Sequence, residues 1–377
     1  MKPFHKLLAG CALATSLASC QTGFELNSEG EDQRSETSGT FIGPGDEADW
    51  VLSIFDDDTF ELEKRDRLGI EQFTASGRID EEDSGFFSLD VTDDDDDLAN
   101  NITGEVAFFR ASDNLLFVTP IETGDRDIVI MIAEDDCPGP TLNGNFVAAD
   151  LSAANLNNPN DIVVGTFEYN VGDAEVDLVD VFSVEEGDDD DERDFIEVPD
   201  DTASAATTFT VTGDCDEREG IINANEQNMY VSDDNAIFYT GENRYLLLDE
   251  SSPNALSDID GEYIGLMVNG ANEEPEEVFV VCGGEEEAGV CIISEREFDT
   301  TDIDDTDEVF RLILTDVNDP TGGFIQGSVT TSGSDANGDF GSIACNYNDP
   351  SSSVFLACTG QSPQANQEQF LLYIVTD

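Results

Sequence analysis

Trp50-Val51-Leu52-Ser53-Ile54-Phe55-Asp56-Asp57-Asp58-Thr59-Phe60-Glu61-Leu62 holds two strand-like runs on either side of three aspartates. Phe60-Glu61-Leu62 alternates apolar and polar, and Asp56-Asp57-Asp58 is a turn by residue type, so the stretch reads as a β-hairpin. Similar runs surround it: Phe41 to Ile42, Ile70 to Ala75, Phe86 to Val91, Val106 to Phe109, Leu115 to Thr119 and Ile128 to Ile132. No stretch keeps a 3.6-residue apolar period, so helix is a minor component. Roughly eight short strands per hundred residues, joined by turns, predict an all-β antiparallel meander, either a small barrel or a sandwich.

The pattern recurs. Gly39-Thr40-Phe41-Ile42, Gly144-Asn145-Phe146-Val147 and Gly261-Glu262-Tyr263-Ile264 share a glycine, a spacer, an aromatic and a β-branched residue. A second landmark follows each, carrying Phe117, Phe238 and Phe355 at 78, 94 and 94 residues beyond the glycine. An apolar strand then closes each copy: Ile128 to Ala133, Tyr245 to Leu248 and Phe370 to Val375. These repeats predict three tandem β-domains, 39–136, 137–256 and 257–377, against the alternative of one large sheet structure. The strand count, the meander order and the opening Gly-x-aromatic resemble the small lipocalin-like barrels of bacterial lipoproteins. The tryptophan that follows the opening glycine in lipocalins is missing, since the sole Trp50 lies in a later run.

The N-terminus has the build of a removable export signal over 1–19: Lys2 and Lys6, an apolar run from Leu7 to Leu17 too short to span a bilayer, then small residues. Leu17-Ala18-Ser19-Cys20 resembles the lipobox of bacterial lipoproteins. That resemblance implies cleavage before Cys20, acylation of Cys20 with palmitate-type chains and a membrane anchor. In such lipoproteins a residue other than Asp after the cysteine accompanies outer-membrane sorting, and Gln21 fits. Residues 20–38 then read as the acylated cysteine and a polar tether, reaching on the order of 20 to 25 Å as a coil.

Charge sets the class of partner. The 377 residues carry 14 Lys and Arg against 86 Asp and Glu, a formal charge of −72. A field of that sign excludes nucleic acid and anionic headgroups as direct partners of the folded part, and it attracts cations or basic partners. Most of the acid reads as solvation. Asp93-Asp94-Asp95-Asp96-Asp97 and Glu185 to Asp194 are like-charge runs predicted to be rim loops.

The only histidine, His5, lies in the signal, which removes Ser-His-Asp and Cys-His catalysis from the body. Beyond Cys11 and Cys20 six cysteines remain, and an even count in an exported chain reads as disulfides. Cys282 and Cys291 flank a Gly-rich turn, as Cys345 and Cys358 flank Asn348-Asp349-Pro350-Ser351, so each pair is predicted to bridge a hairpin. Cys137 with Cys215 then follows by elimination. No catalytic residues are assigned. A two-carboxylate hydrolase is the remaining enzymatic reading, and among so many acids proximity alone would prove nothing. No cofactor is implied except calcium. Asp335-Ala336-Asn337-Gly338-Asp339 sets the oxygen ligands Asp335, Asn337 and Asp339 at alternate positions, but it lacks a twelfth-position Glu and has Phe340 where a calcium loop needs glycine. Such loops would suit a calcium-dependent adhesion or carbohydrate-binding module; otherwise they are turns.

A barrel interior is the other place for a ligand. Phe41, Phe60, Phe86, Phe146, Phe167, Phe209, Tyr263, Phe310 and Phe324 fall in strand-like runs, where they would line a small apolar site or pack an ordinary core. The reading overall is a lipid-anchored, acidic envelope protein of the outer membrane with a binding or structural surface role.

Overall fold

A computed structural model of the chain describes residues 38–45, 48–66, 69–81, 86–94, 102, 106–122, 128–134, 141–149, 162–170, 175–186, 193–197, 208–210, 221–224, 227–232, 235–239, 244–249, 253, 255–269, 275–283, 288–295, 308–316, 324–331, 340–349, 353–361 and 370–376. It is all-β. The first meander consists of β1 (Gly39–Pro44), β2 (Asp49–Ile54), β3 (Thr59–Arg65), β4 (Glu71–Glu81), β5 (Phe87–Asp94), β6 (Val106–Ser112), β7 (Leu115–Val118) and β8 (Val129–Ala133). It closes into a barrel where β1 meets β8, with Phe41 opposite Ala133 and Ile42 opposite Ile132.

The middle meander runs through β9 (Thr141–Ala148), β10 (Ile162–Asn170), β11 (Glu175–Glu186), β12 (Arg193–Glu197), β13 (Thr208–Thr210), β14 (Ile221–Ala224), β15 (Gln227–Val231), β16 (Asn235–Tyr239) and β17 (Arg244–Asp249). Its strands form one sheet in the order β12-β11-β10-β9-β17-β16-β15-β14, with β13 beside β11. First and last strands pair here too, Phe146 facing Leu247. A 3-10 turn (Leu256–Ile259) leads into β18 (Gly261–Asn269), β19 (Glu276–Cys282), β20 (Val290–Glu295), β21 (Glu308–Asp316), β22 (Phe324–Thr331), β23 (Phe340–Asn348), β24 (Phe355–Gly360) and β25 (Phe370–Thr376). These close into a second barrel by seven β18–β25 pairs from Tyr263–Thr376 to Asn269–Phe370. The fold class read from the sequence therefore stands, with barrels at both ends. The second landmark of each copy is the penultimate strand, β7, β16 or β24.

Two acidic runs depart from the loop expectation. β5 continues through Asp94, with Asp93 opposite Ser76 and Asp94 opposite Ala75, because the eleven-residue β4 offers partners beyond a bulge at Ser76/Gly77. In the second run Glu185 faces Asp194 and Glu186 faces Arg193, so both ends belong to the β11–β12 ladder. Residues 95–97 and 187–192 lie outside the described residues.

Alternation explains the two barrel cores. Phe41, Trp50, Leu52, Phe60, Leu62, Phe73, Phe108 and Leu116 share the interior of the first barrel. In the second, Tyr263, Val280, Phe310, Leu312, Tyr347 and Leu356 pack with all four cysteines of two bridges. Cys282 is bonded to Cys291 and Cys345 to Cys358, each pair directly opposite across a hairpin and pointing inward. Each closes a short loop, for which chain entropy gives on the order of 3 kcal/mol. Cys137 and Cys215 lie outside the described residues.

Some strands are apolar on both faces. All four residues of β7 are buried, as are Phe370 to Val375 of β25. Leu116 and Val118 enter the barrel, while Leu115 and Phe117 point outward into a second core.

At the closing seams the backbones come very close. A Cβ on Gly43 would stand inside contact distance of the Ile130 carbonyl oxygen, one on Gly144 against Leu248 O, and one on Gly265 against Tyr373 O. Only glycine lets first and last strands coil together so tightly. Gly43→Ala and Gly265→Ala are each expected to cost about 1–3 kcal/mol of unfolding free energy in denaturant titration, whereas Gly39→Ala, whose added carbon meets only ordinary contacts, should stay close to wild type.

Candidate functional site

The described barrel interiors are filled by side chains, as an eight-stranded barrel allows. Phe41 and Phe60 pack inside the first and Tyr263 and Phe310 inside the second. Phe86 and Phe324 correct the lining set: they lie on outer faces, in a core shared between the meanders. A period-2 pattern does not say which face is inward when both are buried. Phe146 and Phe167 are buried in the middle meander. The side chain of Phe209 is not among those described.

The shared core is the largest feature that composition did not reveal. Ile42, Val51, Phe109, Phe117 and Ile130 come from the first meander, Val147, Tyr230, Ile237 and Leu246 from the middle one, and Leu266, Phe355, Leu371 and Tyr373 from the third. Phe117 stacks on Tyr373 with ring centroids 4.6 Å apart and leans on Phe355 at 5.3 Å. Phe109 stacks behind it at 5.2 Å, and Phe86 meets Phe109 edge-on at 5.6 Å. Two polar links join the first and middle meanders in the same buried zone. The Tyr230 hydroxyl donates to Asp49 Oδ1 at 2.6 Å, and Arg244 Nη1 donates to the Pro44 carbonyl at 3.3 Å. Asp49 and Arg244 are both buried, so each charge needs such partners in a region of low dielectric. Their signal in sequence is slight: a charged residue at the start of an apolar strand, once before Trp50 and once before Tyr245.

Further polar contacts lie within and beside the two barrels. In the first barrel Lys64 lies opposite Trp50 on the inward face, its Nζ 5.4 Å from the indole centroid and 2.6 Å from both Glu122 carboxylate oxygens. The pair spans from β3 to the isolated bridge between Ile102 and Glu122. Outside that barrel, burial first and then hydrogen bonding and repulsion from Glu63 raise the Glu61 carboxyl above its ordinary range. Ile259 is buried in the core of the second barrel with Leu256 packed against it, so the 3-10 turn plugs that end. The Tyr263 hydroxyl donates to Ile259 O at 2.5 Å. Burial, then the neighbours Tyr347 and Asp260, push the Tyr263 phenol strongly upward, and burial followed by Asp349 and Asp258 raises Tyr347.

No group of three or more His, Cys, Asp or Glu able to hold a metal occurs among the described residues. Asp335, Asn337 and Asp339 lie outside them, as does Cys20. Likewise no helix among them is long and apolar enough to cross a membrane.

No family model and no curated protein matches this sequence. Among solved structures the chain is similar to transferrin binding protein B from serogroup B Neisseria meningitidis, at 10% identity and a TM-score of 0.27, covering 87% of this chain and 65% of that one. A transferrin binding protein B double mutant from Haemophilus parasuis Hp5 aligns at 10% identity and a TM-score of 0.26, with the same coverage. This chain thus spans less than two thirds of those proteins. A DNA polymerase III β sliding clamp from Bartonella birtlesii aligns at 8% identity and a TM-score of 0.15 over 93% of both chains. The architecture of this protein therefore stands on its own strand pairing.

Two outcomes follow from these contacts. Phe117→Ala removes the ring that joins the two barrels and should cost about 3–5 kcal/mol in chemical denaturation, at the level of a buried core phenylalanine. Stability should also fall at alkaline pH. The unfolded chain releases phenol protons near 10 while Tyr263 and Tyr347 keep theirs, so the contribution is complete below about pH 10 and is lost as pH climbs toward the raised native values. Tyr263→Phe should flatten that fall in melting experiments run across alkaline pH.

Proposed function

We propose that this is an exported lipoprotein, acylated at Cys20 and held by its polar tether at the outer membrane, that works by binding a partner on the outside of its three-meander body. The observation that carries the reading is the use of the described interior: barrel cores are filled with side chains, and the strand faces between meanders are spent on one shared core. What remains for recognition is the acidic outer surface with its loops. A formal charge of −72 favours a basic protein or a cation-bearing ligand. The chain's one histidine, His5, lies in the signal segment, so the body has no imidazole for Ser-His-Asp or Cys-His chemistry.

Growth with a labelled fatty acid tests the anchor. The full chain should take up label and fractionate with the outer membrane, and Cys20→Ser should remain unlabelled and unprocessed; equal labelling of both would overturn it. Melting of the soluble body in sodium chloride and in calcium chloride at matched ionic strength tests the surface. Coincident curves are expected, and a calcium-specific rise would transfer the reading to a calcium-dependent adhesion module built on Asp335, Asn337 and Asp339.

A further inference from the structure

The outer face of β23 and β24 is unlike the rest of the shared core. Strand alternation sends Ile343, Cys345 and Tyr347 into the second barrel, and it sends Ala344 and Asn346 outward. On β24, Leu356 and Cys358 point in, while Ala357 and Thr359 point out. Asn346 lies opposite Ala357 and Thr359 opposite Ala344, so the amide and the hydroxyl are diagonal neighbours across one antiparallel pair. Diagonal neighbours stand about 7–8 Å apart at the backbone. The two alanines at the other corners end at Cβ, so the patch is lower there than beside the amide and the hydroxyl. β9 packs over both strands and β17 over β23, and Asn145 of β9 shares the junction-facing side with Val147. Asn346 and Thr359 are both fully buried.

In this buried patch the Asn346 Nδ2 and Oδ1 and the Thr359 Oγ1 have no protein hydrogen-bond partner. Leaving a buried donor or acceptor unpaired costs about 1–3 kcal/mol each, and polar residues are not retained in a core at that cost without something to satisfy them. The chemistry of the orphaned atoms selects the occupant. Oδ1 needs a donor and Nδ2, on the same amide, needs an acceptor. A cation offers no acceptor, and an apolar molecule offers neither. Water offers both, and internal waters characteristically make about three hydrogen bonds to groups left unsatisfied by the protein. We propose that the joint between the middle meander and the second barrel encloses an ordered-water site, bridging Asn346 and Thr359 between the patch that holds Ala344 and Ala357 and the overlying β9. The apolar shared core thus carries one wet cell that links two meanders by water-mediated hydrogen bonds.

The site makes a prediction of opposite sign from a dry, unsatisfied pair. Thr359→Val keeps the shape of the side chain and removes the hydroxyl. With water bound, the variant loses a bridge and its midpoint in denaturant falls, whereas Thr359→Ser, which keeps the hydroxyl, falls less. A crystal structure of the wild-type body at a resolution that shows solvent should place water within hydrogen-bonding distance of both Asn346 and Thr359. A Thr359→Val variant more stable than wild type, together with a patch free of solvent density, would overturn the proposal. Density for a buffer molecule or an ion in place of water would overturn it equally.

Discussion

Everything in this fold depends on burying both faces of a few strands. A strand that lines a barrel presents every second residue to the inside, and the others ordinarily face water. The outward residues of β7 and β25 include Phe117 and Tyr373, which stack on one another. Once those rings are withdrawn from water, the barrels cannot separate without exposing a large apolar surface, so the outer faces of two closed barrels and part of an open sheet become one interior. The buried Asp49–Tyr230 and Arg244–Pro44 links then act as register pins, because each charge tolerates burial only with its partner in place.

The shared core also frames how function is divided. Filled barrels supply stiffness rather than a cavity, and two inward disulfides anchor hairpins of the second barrel from inside. In the reading proposed above, recognition falls to the outer surface, whose character follows from a formal charge of −72. Many like charges repel one another, and at Glu61 burial first and then Glu63 beside it raise the carboxyl. A body joined by a large apolar core can carry such a surface, since the repulsion is spread over solvated groups and the cohesion is not.

Much of this was legible in sequence, and the limits have physical causes. Alternation in Phe60-Glu61-Leu62 marks β3 because one face is buried and the other wet. The repeated glycine-aromatic openings and closing apolar strands mark where each meander begins and ends its circuit. The hairpin cysteines were readable because a turn of suitable length sets them face to face. Continuous runs such as Leu115 to Val118 show that a strand is buried on both sides, yet not what covers the second side, so the sequence left open whether Phe86 and Phe324 line a barrel or pack a core, and they pack the shared core. The Asp-rich runs misled in the other direction: like charge suggests a solvated loop, while a long partner strand can still hold Asp93 and Asp94 in the ladder. Asn346 and Thr359 gave no signal, because their placement in a core depends on packing between distant segments.

One core holds the three meanders, so they behave as one folding unit. Differential scanning calorimetry of the soluble body measures it directly. A single transition is expected, its calorimetric enthalpy equal to its van't Hoff enthalpy, since no meander can unfold without stripping the outer faces of its neighbours. Two or three resolved transitions, each of the size of one meander, would contradict it and reduce the shared core to a contact between independent domains.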